Sequence, residues 1–251
     1  MANFFKKNKK TLLTIAGVLA LFLIWLILAL TINSPILPSP KATFGRLFSL
    51  LGEGNTYLHI GYTLLRLLIS LAFAILCGLI LGILGGTFKG FYAFLNPLIV
   101  TLRTIPTASL ILILISLTKI AYAPVIVSFI LMFPLIYEAT VNGLVNIDEN
   151  IINALKIDGN RGLSSLFRVK LPLASSSINL GIIQSLGLGM KVTIMSEIIS
   201  GSRNVYGLGF ALRIAQEDVI YTDMWALTLI AIILIGIIEL ILYFVKRLLK
   251  N

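Results

Sequence analysis

The sequence predicts an all-α integral membrane protein, a bundle of about six transmembrane helices. Three observations carry that expectation. Hydrophobic residues make up 58% of the chain and charged residues 12%, with a mean hydropathy of +1.02, whereas soluble domains hold roughly 45–50% and 25%. The apolar residues are gathered into runs close to the ~20 residues that a spanning helix needs. A length of 251 residues accommodates about six such runs with short connections, as one membrane domain.

In chain order, Lys6, Lys7, Lys9 and Lys10 precede twenty-one uncharged residues, 12–32. A secretory signal has the same basic-then-apolar order with a shorter core, so this run reads as a retained first helix. Residues 33–61 read as a loop: Pro35, Pro38 and Pro40 come first, an amphipathic interfacial helix covers 44–51, and Gly52, Glu53, Gly54 and Asn55 follow. His59 in this stretch reads as a solvated or capping residue. Further spans are expected at 62–87, 104–117, 123–141, 176–200 and 224–244, the third being short and preceded by Pro97, Arg103 and Pro106. In the second span, Gly78-x-x-x-Gly82 and Gly82-x-x-x-Gly86 present small residues on one face. They serve either as a close-approach surface for another helix or simply as the glycine common in membrane helices.

The net charge of +10 raises nucleic acid as a partner, and the placement of the basic residues argues against it. With the N-terminus inside, the cytoplasmic segments hold Lys6, Lys7, Lys9, Lys10, Lys89, Arg103, Lys156, Arg161, Arg168, Lys170, Lys246, Arg247 and Lys250, thirteen of the twenty. The positive-inside rule therefore predicts a multi-pass protein with both termini cytoplasmic, and assigns the charge to topology and to the lipid bilayer. Cys77 and His59 are single, which excludes a disulfide framework or a Cys/His zinc site within one chain.

The longest cytoplasmic connection, 142–174, has the composition of a structured segment. Asp148 reads as an N-cap and Glu149 suits the positive end of the helix dipole. Ile151, Ile152 and Leu155 form an apolar stripe, and Gly159 can stop the helix. A second short helix is expected over 163–168, with Leu163 and Phe167 four apart, before Leu171-Pro172 turns the chain into the fifth span. A short amphipathic helix on a cytoplasmic face either lies on the bilayer or docks into a partner's groove.

The run Asn153-Ala154-Leu155, three residues, Gly159, nine residues, Val169-Lys170-Leu171-Pro172 resembles the EAA loop of the type I permeases of ATP-binding cassette (ABC) importers. That pattern is Glu-Ala-Ala, three residues, Gly, nine residues, Ile-x-Leu-Pro. Asp158-Gly159 with Phe167, Glu197 followed by Gly207-Leu208-Gly209, Leu37-Pro38-Ser39-Pro40, Arg66, Asn96-Pro97 and Arg103-x-x-Pro106 are similar to the branch that carries taurine, alkanesulfonates, nitrate and thiamine-precursor pyrimidines. Asn153 and Leu155 depart from the pattern. The resemblance implies a cytoplasmic coupling helix that fits a cleft in a separate ATPase, with Asn153, Ala154, Leu155, Asp158, Gly159, Val169, Leu171 and Pro172 as coupling residues. It further implies two ATPase subunits, an extracytoplasmic substrate-binding protein and a second permease copy, in the cell (inner or plasma) membrane of a prokaryote. No G-x-x-x-x-G-K-[ST] phosphate loop occurs, so no cofactor is expected in this chain, and ATP and magnesium are expected in the partner. The chain itself is not expected to be an enzyme. The expected domains are 1–56, a transmembrane helix and external loop; 57–246, the permease domain; and 247–251, a cytoplasmic tail.

An ionisable residue near the centre of a spanning helix costs roughly 2.5–3.5 kcal/mol on insertion scales, so each needs a partner, a wet cavity or a route to the interface. Arg66 reads as snorkelling from the outer end of its span, ahead of a pathway role. Glu138 sits near the inner end of the fourth span. Lys191 and Glu197, six apart in the fifth span, lie about 120° apart around the helix and do not pair with each other. Gln184 and Lys191, seven apart, share a face. Gln184, Lys191, Glu197 and Glu138 are the candidate translocation-path residues, and a cation on a cavity wall suits an anion; structural pairing of Lys191 with another helix or with Glu138 is the alternative. The expected function is a permease for a small anion such as an organosulfonate, taurine or nitrate. A thiamine-precursor pyrimidine permease or an ion-coupled secondary transporter are the alternatives, the latter predicting inverted repeats, broken helices and paired membrane carboxylates, whereas the sequence shows no clear internal repeat and only few span carboxylates, near the ends.

Overall fold

The computed structural model describes residues 2–32, 34–157 and 162–248, and all the regular elements among them are helical. They are α1 (Ala2–Ile32), α2 (Pro40–Leu51), α3 (Gly54–Thr87), α4 (Lys89–Thr104), α5 (Thr107–Leu117), α6 (Ala123–Val145), α7 (Glu149–Ile157), α8 (Leu163–Ser165), a π-helical turn (Leu166–Lys170), α9 (Leu171–Ser200), α10 (Leu208–Glu217) and α11 (Tyr221–Leu248). By length and composition α3, α6, the continuous Leu166–Ser200 helix and α11 can each cross a membrane; α4 with α5 make a fifth crossing if counted as one, and Ala16–Ile32 is a shorter apolar helix.

The expected third span, 104–117, is corrected. It is a broken pair, α4 and α5, bent by 97°. The break itself is local, though not its angle: a residue before proline is pushed out of the α region, and Ile105 ahead of Pro106 has φ −64° and ψ 127°. The expected loop over 33–61 is also shorter than the sequence suggests, since α3 begins at Gly54 and carries His59 within it.

At the centre, α6 packs between α3 and α9, with Leu67, Leu71, Ala74, Met132, Ile136 and Met190 in one buried cluster. Small residues make this possible. A Cβ on Gly78 would lie 2.8 Å from Ile136 Cβ, and one on Gly82 would lie 2.6 Å from Thr140 Cβ, so the glycine face of α3 is a close-approach surface for α6. Gly181 of α9 meets Ala139 of α6 in the same way, and Ser128 and Thr193 hydroxyls pair at 2.8 Å inside the α6–α9 contact.

The N-terminal part is tied to α11. Ser39 caps α2 through the Ala42 N–H (3.3 Å), with Pro40 in the first turn, where its missing N–H costs nothing. Arg46 then grips Asp223 of α11 through Nε (2.7 Å) and Nη2 (2.9 Å), and donates to Glu53 (2.9 Å). The hydrogen bond to Asp223 raises the Arg46 guanidinium further above its ordinary range. Trp25 and Trp225 stack at 5.6 Å, and their indole N–H groups donate to Pro38 O (3.2 Å) and Ile36 O (3.0 Å).

Candidate functional site

Two regions gather the residues that the sequence singles out. The first is the 142–174 segment. The Asp148 side chain accepts the Asn150 N–H (2.8 Å), as an N-cap should, and Glu149 stands in the first turn of α7. Ile147 and Ile152 root the helix in a small apolar cluster of Leu144, Leu166, Ala174 and Ile178, which joins the ends of α6 and α9. Asn153 and Ala154 are exposed, Leu155 is half-buried, and Ile157 is 85% exposed. Nearby, Phe167 is also exposed, beside an apolar pocket of about 510 Å³ lined by Ile83, Leu84, Phe88, Leu166 and Lys170. Val169 and Leu171 are half-buried and Pro172 is exposed. Asp158 and Gly159 lie outside the described residues.

The junction with the fifth span differs from expectation. The expected helix over 163–168 is a single α turn continued by a π turn, and Leu171-Pro172 does not redirect the chain. Proline lacks the N–H that an α-helix would use and crowds the carbonyl four residues back. The π turn absorbs this: the Leu171 N–H bonds Leu166 O, five residues back, and the helix proceeds unbroken to Ser200.

The second region is the set of ionisable residues in the spans, and here the structure separates what the sequence grouped. Glu197 is enclosed. Arg66 Nη1 donates to its Oε1 (2.6 Å), while Thr63 Oγ1 (2.8 Å) and the Gly209 N–H (2.9 Å) donate to Oε2. Thr63 in turn accepts the Leu208 N–H (2.8 Å), so one carboxylate fastens α3, α9 and the start of α10. The Arg66 guanidinium lies 5.2 Å from the Phe210 ring centroid and 5.9 Å from that of Tyr62. A Cβ on Gly207 would fall 2.7 Å from both Arg66 Nη1 and Glu197 Oε1, which explains the glycine there. The snorkelling expected of Arg66 is therefore corrected: the side chain turns inward to a carboxylate. His59 Nδ1 stands 2.9 Å from Gly207 O and 3.1 Å from Gly207 N, so its tautomer selects which of the two it engages. It is a ligand of the fastened loop rather than a solvated side chain.

Gln184 and Lys191 do share a face. Both are exposed on α9 and line a pocket of about 420 Å³ with Glu239 and Tyr243 of α11. Lys191 Nζ lies 3.2 Å from Glu239 Oε1. Glu138 pairs elsewhere, with Arg103 at the end of α4. Sequence reasoning missed Glu239, although an acid inside an otherwise uncharged run is the very signal that singled out Lys191. It also missed Thr63, a buried hydroxyl with no signature of its own.

Comparison with known proteins follows the same lines. Residues 74–251 match the family described as binding-protein-dependent transport system inner membrane component. The chain is 26% identical over 227 residues to a probable ABC transporter permease protein of Brucella melitensis, covering 90% of this chain and 88% of that one. It is 25% identical over 231 residues to the taurine transport system permease protein TauC of Escherichia coli (strain K12), covering 87% and 83%. A solved inward-facing structure of the MetNI methionine ABC transporter superposes with a TM-score of 0.63 over 78% of this chain and 97% of that chain, at 20% identity, and shares the fold.

Proposed function

The chain belongs to the family of binding-protein-dependent transport system inner membrane components and is the permease subunit of an ABC importer, a premise from which we propose how it is driven and what it carries. As a multi-pass inner-membrane protein of this family it works with an ATPase and a binding protein. In this reading two ATPase subunits, which hold ATP and magnesium, dock on the 142–174 segment, and two copies of the chain enclose a central path. Substrate is delivered at the opposite side by the binding protein.

The observation that carries the coupling reading is mechanical. The outward face of α7, with Asn153, Ala154 and Ile157, is rooted through Ile152 and Leu166 in the same cluster that begins the helix to Ser200. That helix has 35 residues from Leu166, about 50 Å at 1.5 Å per residue. A push on α7 by a closing ATPase dimer is therefore transmitted along one rigid element to Lys191 and Glu197. Asp158 and Gly159 are assigned to the same surface by their place in the EAA-like pattern. The positive-inside distribution supports placing this surface and both termini in the cytoplasm.

For substrate, a small solute bearing an anionic group, such as an organosulfonate, taurine or nitrate, is supported by the similarity to TauC and by Lys191 on an open wall of α9. The coupling reading is tested by mild-detergent purification of tagged protein from its own host, comparing the unaltered chain with Ala154→Arg and Gly159→Glu. A phosphate-loop ATPase is expected with the first and absent from both variants, which remain in the membrane. An ATPase retained by both variants removes α7 as the docking surface.

A further inference from the structure

Lys191 and Glu239 are each nine residues from the nearer end of their helices, about 14 Å. They sit deep in the spans. Charges at such depth are found facing a bundle interior or a water-filled cavity, not lipid. Yet both side chains are more than half exposed on this chain, 59% and 55%, and the pocket around them opens outward. Its walls are apolar, Ile183, Leu188 and Leu242, and its polar groups are Gln184, Lys191, Glu239 and Tyr243. A volume of about 420 Å³ is within the range of small-molecule sites.

The pair alters what the pocket can hold. A lone lysine would attract any anion. With a carboxylate oxygen 3.2 Å from its Nζ, the pocket is close to neutral, and an anion approaching Lys191 meets Glu239 at nearly the same distance, so attraction and repulsion largely cancel. A solute carrying both an anionic group and an ammonium avoids that conflict. Its anion lies against Lys191 and its ammonium against Glu239, completing a four-charge arrangement, while Gln184 can donate to the anionic oxygens. We propose that the Lys191–Glu239 pocket between α9 and α11 is a transit subsite for a small zwitterion, such as an aminosulfonate, in preference to a bare anion. This deepens the permease reading and rests on it, because the outward-facing pocket lines a solute path only if the assembled transporter places water there.

Gly187 lies on the pocket wall, and a Cβ built on it meets nothing within 4 Å. A thiol introduced by Gly187→Cys, in a Cys77→Ala background, therefore reports occupancy. The assembled transporter, purified with its ATPase and placed in phosphatidylglycerol vesicles, is labelled with a water-soluble methanethiosulfonate. The proposal expects labelling that taurine slows about tenfold, as paired charge contacts in a partly desolvated site allow, and that ethanesulfonate, which lacks the ammonium, slows little. Adding Glu239→Gln should make the two solutes equal. Equal protection in the presence of Glu239, protection by neither, or a thiol that stays unlabelled each overturns the proposal. Phosphatidylethanolamine carries the same two charges, so slower labelling in vesicles containing it, with no solute added, would reassign the site to a lipid headgroup. Co-purification of the ATPase separates these failures from failure of the permease reading itself.

Discussion

Two faces of α9 carry ion pairs of the same chemistry in opposite settings. Glu197 and its partner Arg66 have side chains 0% and 8% exposed, and each oxygen of the carboxylate is engaged by a donor from another part of the chain. Lys191 and Glu239, six residues along α9 and on α11, are 59% and 55% exposed and line a pocket. A buried pair that is fully hydrogen-bonded fixes geometry, because loss of one partner strands a charge in a low-dielectric interior. An exposed pair holds little folding energy and can exchange partners with a solute. One helix thus supplies an anchor on one side and an adaptable surface on the other.

Breaking the anchor should have the largest effect. Glu197→Ala leaves Arg66 buried without a counter-charge and should destabilise the protein by about 3–5 kcal/mol, seen as loss of folded protein or a lower midpoint of thermal unfolding in detergent. Replacing both, Arg66→Met with Glu197→Leu, should cost less than the sum of the single changes, and additive costs would show that the two do not act as a unit.

The glycines sharpen the contrast. Gly207→Ala drives a methyl into Arg66 and Glu197 and should cost about 1–3 kcal/mol by overpacking. Gly187→Ala, on the open side of α9 with nothing within 4 Å, should be neutral or stabilise by up to about 1 kcal/mol through helix propensity. Similar unfolding midpoints for these two variants would contradict the assignment of the two faces.

The smallest effect on stability is expected at the adaptable pair. Lys191→Met should change stability by no more than about 1 kcal/mol yet alter ATP-dependent uptake, with membrane insertion unchanged by immunoblot. A loss of stability as large as that of Glu197→Ala would mean that Lys191–Glu239 is a second anchor.

Much of the fold was legible because lipid imposes a simple rule on the chain: long apolar runs become helices, and 123–145 and 171–200 are found within a few residues of where the hydropathy puts them. The Asp148 cap and the Ile152 side of α7 were equally local. The breaks were harder to read. Pro106 was visible, but that Ile105 would part α4 from α5 at 97° depends on how α5 packs on α6 and α9. At Pro172 the expected turn is replaced by a π register that keeps the helix whole. Arg66 was misread because its partner is 131 residues away, and a single span offers a lone arginine only the interface.

The sequence by itself determined that this chain lives in a membrane, roughly where it crosses, and that its 142–174 connection follows the EAA-like pattern. It also determined the angle between Lys191 and Glu197, since helical periodicity sets relative directions around an axis. Only the tertiary structure decided which direction was inward. The rotation of α9 is set by close approach to α3 and α6 through Gly181 and Gly189, contacts between distant segments that no local period encodes. That rotation turned one carboxylate into a buried fastening and left a lysine on an open wall beside Glu239.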